Sequence, residues 1–198
     1  MDKSEIEGRV ELSSVLDLKP GDEIMVQAVK DPAGTKGVRL TRHLSFAGRY
    51  VVFLPTLSFA GVSRKITDEK TRERLTKIAE KYRPEGKGII IRTAGENARK
   101  GEIKNEIRYL EDQFKEIEEN FAFAKPATCI YEEGNVGIRL LRDVYTKDVD
   151  KFVVSDRDLY EKLRVYAKRR DKDLKSKLRF YDKKIDMFRY YGLSESVE

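Results

Sequence analysis

The chain lacks several features that would assign a protein quickly to a function class. Its 198 residues include no tryptophan, one cysteine (Cys129) and one histidine (His43). A single cysteine excludes an internal disulfide, and one cysteine with one histidine is too few for a zinc site within this chain. No apolar run is long enough to cross a bilayer, and residues 1–5 are too polar for a secretory leader. We therefore expect a cytoplasmic protein that does not span a membrane.

Charge is what the chain has in quantity. Charged residues make up 38% and hydrophobic residues 39%, and 41 bases against 35 acids give a net charge of +6. This composition predicts modest cores under a charged surface, in one or two small domains. Ten of the bases fall in residues 164–184, among only three acids. That basic stripe either follows a nucleic-acid backbone or is a solvated helix end and loop.

The most informative segment is residues 89–95, where three isoleucines run into Arg92, Thr93 and a glycine turn. A β-branched apolar run predicts a buried strand. Its end presents a guanidinium fork beside a hydroxyl, and both groups suit a phosphate. The alternative is a surface arginine paired with one of the many carboxylates.

Hydrophobic periodicity predicts alternating strands and helices, and hence an α+β fold. Strands are predicted at residues 24–29, 36–41, 50–54, 61–66, 89–91, 151–155 and 178–181, with a short one at 130–131. Helices are predicted after Thr67 as N-cap, over 103–121 and 136–144, after Asp156 as N-cap, and over 185–191. The apolar stripe of the 103–121 helix either packs on the chain's own sheet or forms a coiled-coil seam.

Three segments together resemble the RNase E/G family of bacterial endoribonucleases. They are residues 27–41, containing GTKG and RLT; residues 44–66, containing LSFAGRYVVFLP and VSRKI; and residues 88–94, GIIIRTA. The resemblance implies a partial OB-fold β-hairpin ending an RNA-binding module at 1–43. It further implies a mixed α/β 5′-sensor domain at 44–125 and an RNase H-like α/β subdomain at 126–198.

The resemblance also implies residue roles. Arg92 and Thr93 match positions that bind the 5′-phosphate of RNA, and Gly48 and Val52 match positions around the terminal nucleotide. The residues themselves leave other readings open. Val52 is either a wall of that site or ordinary core, and Gly48 either borders the nucleotide or allows two backbones to approach closely.

Further basic residues match RNA-contacting positions of the family. These are Lys36 in the first segment and the Arg64–Lys65 pair in the second. Some relatives carry Arg-Arg at the pair, and Lys65 replaces a fork with a point charge. Lys36 is otherwise an ordinary hairpin lysine.

The implied function is an RNA-binding part of an endoribonuclease that recognises 5′-monophosphorylated single-stranded RNA during RNA processing and decay. The family's catalytic aspartates, magnesium and zinc belong to segments that would follow residue 198. We therefore expect no catalytic residue, metal site or cofactor in this chain, no activity of the chain alone, and a monomer. Two alternatives remain: a self-sufficient metal-dependent ribonuclease using Asp143, Asp148 and Asp150, or an interaction module built on the 103–121 helix.

Two smaller features carry expectations of their own. Cys129 is expected to be a small buried hydrophobe. The aromatic residues Phe188, Tyr190 and Tyr191 either stack on bases or pack against the final strand.

Overall fold

The computed structural model describes residues 19, 21–30, 37–145, 148–170 and 172–194. The chain divides into two units, the first ending at Glu132 and the second beginning at Glu133. Each unit has its own apolar core. Helices and strands are both present in each, which confirms the α+β prediction.

The first unit begins with the predicted hairpin. Strands β1 (Gln27–Lys30) and β2 (Arg39–Thr41) pair antiparallel, with Gln27 opposite Thr41. The Gln27 side chain ties the hairpin to the next segment, because its amide donates to the Ser45 carbonyl (3.1 Å) and accepts from the Ser45 N–H (2.8 Å). Lys36 lies outside the described residues.

A four-stranded sheet follows, made of β3 (Phe46–Ala47), β4 (Val51–Leu54), β5 (Ala60–Val62) and β6 (Gly88–Ile91) in the order β3-β4-β6-β5. Strand β6 pairs antiparallel with β4 and parallel with β5. A parallel pair needs a crossover, which helix α1 (Glu69–Tyr82) supplies between β5 and β6. Strand β5 is shorter than predicted because residues 63–66 leave the sheet to reach α1.

The N-cap of α1 is Asp68 and not the predicted Thr67. The Asp68 carboxylate accepts from the Thr71 N–H at 2.8 Å. Hydrogen bonding from the Thr71 side chain, and then from its backbone, lowers the pKa of Asp68. A charged cap at this position also complements the helix dipole, which the neighbouring hydroxyl of Thr67 would not do.

Helix α2 (Lys100–Phe123) covers one face of the sheet with its apolar stripe. Its buried positions include Ile103, Ile107, Leu110 and Phe114. The Phe114 ring lies 6.1 Å from that of Phe53 on β4, centroid to centroid. The stripe therefore packs on the chain's own sheet, so the coiled-coil alternative is wrong and the interaction module loses the surface it was built on.

The second unit contains α3 (Val136–Val144), β7 (Phe152–Val154), α4 (Arg157–Arg170), α5 (Lys172–Lys177), β8 (Leu178–Phe180) and α6 (Met187–Tyr190). Strands β7 and β8 pair in parallel. Asp156 caps α4 as predicted, accepting from the Leu159 N–H at 2.6 Å. Gly192, with a φ of +69°, ends α6.

Some local expectations are wrong. Residues 130–131 form no strand, and Cys129 is exposed, with its Sγ 3.6 Å from the Tyr131 carbonyl oxygen. The basic stripe contains the end of α4 and all of α5, so it is more helical than the alternative of a helix end and a loop. Tyr190 packs on Tyr181 just after β8, with ring centroids 5.8 Å apart, which favours packing over a stacking platform.

Within the described ranges, no helix has the length and apolar character needed to cross a bilayer.

Candidate functional site

The carboxyl ends of β5 and β6 bring two separate loops together. Because the strands run parallel with Val62 opposite Ile91, both leave the sheet at the same edge. The Ser63 N–H donates to the Ile91 carbonyl at 2.8 Å, which extends the pairing by one residue. The Ser63 and Thr93 hydroxyl oxygens are then 3.2 Å apart. The predicted Arg92–Thr93 pair therefore sits beside the loop that carries Arg64 and Lys65.

Arg92 is half-buried and held at both its backbone and its side chain. Its N–H donates to the Tyr50 carbonyl at 2.7 Å, and its Nη1 donates to the Gly48 carbonyl at 2.6 Å. An arginine carries five N–H donors in a rigid fork, enough to hold a carbonyl and a phosphate together. Thr93 follows it, exposed, at the start of a short 3₁₀ turn.

A buried carboxylate holds residues 48–51, the turn that links β3 to β4. The Gly48 N–H closes the turn by donating to the Val51 carbonyl at 2.7 Å. The amides of Arg49, Tyr50 and Val51 donate to the Glu106 carboxylate of α2 at 2.8, 2.6 and 2.9 Å. Glu106 is only 6% exposed. We call residues 48–51 the clamped turn.

The reason for a glycine at position 48 is this carboxylate. A Cβ on Gly48 would lie 2.5 Å from the Glu106 Cδ, closer than real atoms approach. Gly48 therefore allows its backbone to approach the side chain of Glu106 closely. One of the expectations was a close approach between two backbones. The Gly48 carbonyl remains directed at Arg92.

Replacing Gly48 with alanine is expected to lower the free energy of unfolding by about 1–3 kcal/mol, because the new methyl group must displace the Glu106 carboxylate. Gly101→Ala is the matched control, since a Cβ at Gly101 in α2 has open space around it. Urea denaturation followed by circular dichroism measures both variants. An unchanged stability of Gly48→Ala would contradict the crowding seen at this turn.

Val52 lies on the sheet face opposite α2. Along β4, the buried Val51 and Phe53 point to the core, and Val52 between them is half-buried beside Ala47 and Ile90 on the neighbouring strands. Arg92 follows Ile90 by two residues in extended backbone (φ −78°, ψ 165°), so it belongs to the same face. Val52 therefore lies outside the buried core of the first unit and forms, with Ala47 and Ile90, an apolar strip on the face to which Arg92 belongs.

The Arg64–Lys65 pair is exposed in the turn that follows β5. The Lys65 N–H donates to the Ser63 hydroxyl at 3.3 Å. Arg72 of α1 braces this turn, because its Nη1 donates to the carbonyls of Ser63 and Ile66, each at 2.8 Å. The two cations are thereby presented at the same edge as Thr93.

The acidic residues considered for catalysis lie in the second unit. Asp143 accepts two hydrogen bonds from Arg142, at 3.1 Å from its Nε and 2.9 Å from its Nη2, and Arg142 also contacts Glu133. Burial opposes the charge of Arg142, but its hydrogen bonds to Asp143 and Glu133 outweigh that cost and raise its pKa. In the part of the chain that the structure describes, no three His, Cys, Asp or Glu side chains gather as metal ligands would.

Three residues of this site were missed by sequence reasoning: Ser63, Arg72 and Glu106. Ser63 is the first residue after β5 and Thr93 the second after β6, and only the parallel pairing of these strands shows that the two residues lie side by side. Glu106 had a signal, since it lies three residues after Ile103 and four before Leu110, on the apolar stripe of α2. A carboxylate there must find hydrogen-bond donors inside the fold.

Comparison with known proteins gives one consistent result. A sequence model described as the Ribonuclease E/G family matches residues 45–198. Ribonuclease G of Escherichia coli (strain K12) is 38% identical over 146 residues, which are 74% of this chain and 30% of that protein. Ribonuclease G of Haemophilus influenzae is 30% identical over 181 residues, 91% of this chain and 37% of that protein. Ribonuclease E of Nostoc is 32% identical over 151 residues, 76% of this chain and 22% of that protein.

The chain therefore spans little more than a third of the length of these relatives at most. The family match covers the sheet, the clamped turn, both loops at its edge, and the second unit. On that coverage and on identities of 30–38%, this chain belongs to the Ribonuclease E/G family.

Proposed function

We propose that this chain recognises the 5′-monophosphate end of single-stranded RNA and serves as an RNA-binding part of an endoribonuclease. The observation that carries the proposal is the convergence of Arg92 and Thr93 with the loop after β5 at one sheet edge. Cleavage is assigned to parts of the longer enzyme that correspond to sequence outside this chain. The magnesium and zinc of the family are assigned there as well.

The phosphate is bound at Arg92 and Thr93. The Gly48 carbonyl fixes one side of the guanidinium, so the fork meets an anion in a set orientation. The Thr93 hydroxyl follows Arg92 along the chain and lies next to the Ser63 hydroxyl of the neighbouring loop, and it supplies a neutral donor. A 5′-hydroxyl end offers no charge to either group, so it binds less tightly.

The nucleotide that carries this phosphate lies against the apolar strip formed by Ala47, Val52 and Ile90. These side chains are half-buried and occupy the face to which Arg92 belongs. Burial of an apolar surface of this kind favours a sugar or base without specifying its sequence. Val52 is thereby assigned a role as part of the wall beside the proposed phosphate site.

The remaining strand is held by charge. Arg64 and Lys65 are exposed beside the proposed phosphate site. Lys36, which precedes β2, is assigned a backbone contact by the family resemblance. Contacts of this type depend on the phosphate backbone and weaken with salt. They therefore contribute to the affinity for RNA with either 5′ end.

The test compares RNA oligonucleotides of one sequence carrying a 5′-monophosphate, a 5′-hydroxyl, or a 3′-monophosphate with a 5′-hydroxyl. The third has the same added charge as the first, placed at the wrong end. Fluorescence anisotropy is expected to show about tenfold or greater preference for the 5′-monophosphate, since charge-assisted hydrogen bonds contribute roughly 1.5–3 kcal/mol. Equal binding of the 5′- and 3′-phosphorylated oligonucleotides would contradict the proposal.

A further inference from the structure

We propose that Glu106 is a positioning residue for 5′-phosphate recognition, acting through the clamped turn to set the place of Arg92. The inference rests on the proposed function of Arg92 and extends it to a residue that contacts no RNA. Its basis is two sets of hydrogen bonds made by residues 48–51, one to Glu106 and the other to Arg92.

The first set of hydrogen bonds is made to the Glu106 carboxylate. Among the residues whose side-chain burial the structure describes, Glu106 is the one charged residue that is buried. Burying a carboxylate is costly unless hydrogen bonds replace its water, and three backbone amides do so here. Consecutive amides that converge on one anion fix the backbone that carries them.

The second set of hydrogen bonds joins the same turn to Arg92. The carbonyls of Gly48 and Tyr50 accept from the Arg92 Nη1 and backbone N–H at 2.6 and 2.7 Å. Three amides of the turn therefore donate to Glu106, and two of its carbonyls accept from Arg92. Any shift of the turn moves the acceptor that orients the guanidinium.

The substitution Glu106→Gln removes the negative charge of the side chain while keeping its size. A carboxylate is an acceptor at both oxygens, whereas a glutamine amide has one oxygen and an NH₂ group that only donates. Because backbone N–H groups face both carboxylate oxygens, the NH₂ of Glu106→Gln opposes a donor and the turn has to shift. Aspartate keeps the charge but withdraws it by one methylene, so it is expected to have an intermediate effect.

The experiment measures dissociation constants of 5′-monophosphate and 5′-hydroxyl RNA for the full chain and for Glu106→Gln. The expected result is a loss of about fivefold or more in the preference for the 5′-monophosphate, with affinity for 5′-hydroxyl RNA changed by less than about twofold. Glu116→Gln is the matched control, because Glu116 is an exposed carboxylate on the same helix. It is expected to keep the full preference.

The outcomes separate this inference from the proposed function. If the unaltered chain shows no preference, the proposed function fails. If it shows one that Arg92→Ala removes and Glu106→Gln keeps, only the positioning role is overturned. A parallel fall in affinity for both RNA ends would also overturn it, since that indicates a general structural role. If circular dichroism shows that Glu106→Gln is unfolded, Glu106→Asp replaces it: a smaller loss of preference with unchanged affinity for 5′-hydroxyl RNA is expected, and a fully kept preference overturns the positioning role.

A double variant gives an independent check. Because Glu106 is proposed to act through the Arg92 fork, adding Glu106→Gln to Arg92→Lys, which keeps part of the preference for the 5′-monophosphate, is expected to cause a smaller further loss than Glu106→Gln causes in the unaltered chain. Additive losses would place the effect of Glu106 outside the Arg92 contact and overturn the inference.

Discussion

Replacing Arg92 with alanine is expected to weaken binding of 5′-monophosphate RNA by about 10- to 100-fold, to the level of 5′-hydroxyl RNA. The physical reason is the loss of charge-assisted hydrogen bonds of roughly 1.5–3 kcal/mol at a site where Thr93 alone supplies a neutral contact. Anisotropy titrations with the matched oligonucleotides measure the change. Affinity for the 5′-hydroxyl RNA is expected to stay nearly constant.

Two further variants sharpen this result. Arg92→Lys retains the charge without the fork, so we expect part of the preference to remain. Arg164→Ala removes an exposed cation that pairs with Glu161 in the second unit, at 2.8 Å, and is expected to leave the preference intact. An Arg92→Ala protein that still separates the two RNA ends would show that another group binds the phosphate.

The second large effect is on stability. Phe53→Ala is expected to lower the free energy of unfolding of the first unit by about 3–5 kcal/mol, because Phe53 is completely buried between the sheet and Phe114 of α2. The same substitution at Phe123, which is 90% exposed at the end of α2, is expected to change stability by less than about 0.5 kcal/mol.

Hydrogen exchange distinguishes the unit that is affected. Amides of β6 in the first unit are expected to lose protection in Phe53→Ala, while those paired between β7 and β8 in the second unit keep theirs. A uniform loss across both units would mean that the two cores do not unfold separately.

The sequence predicted most of the regular structure because its patterns are local. The isoleucines of β6 and the apolar spacing of α2 report their own secondary structure without knowledge of the partners. Errors arose where local signals compete. Thr67 and Asp68 are both good caps, and only the position of Thr71 decides between them. At residues 130–131, an apolar pair has strand propensity, but no strand in the described ranges pairs with it.

The candidate site was predictable only in part, for a different reason. Arg92 and Thr93 stand out because they interrupt an apolar strand, and their local sequence carries that signal. Their neighbours come from distant segments: Ser63 through parallel pairing, and the clamped turn through β4. Glu106 contacts residues 55–57 positions away along the chain. Periodicity places it on the inner face of a helix but does not identify what it meets there.

The clamped turn has an evolutionary consequence. Its contacts to Glu106 and Arg92 are made by backbone atoms of residues 48–51, so they are indifferent to which side chains positions 49 and 50 carry. Natural drift at position 49 is therefore compatible with an unaltered geometry, provided that proline, which has no N–H, is avoided, whereas Tyr50 also packs against the core. A comparison of side chains alone would rank position 49 as unimportant, although the peptide group that joins residues 48 and 49 connects the helix to the arginine.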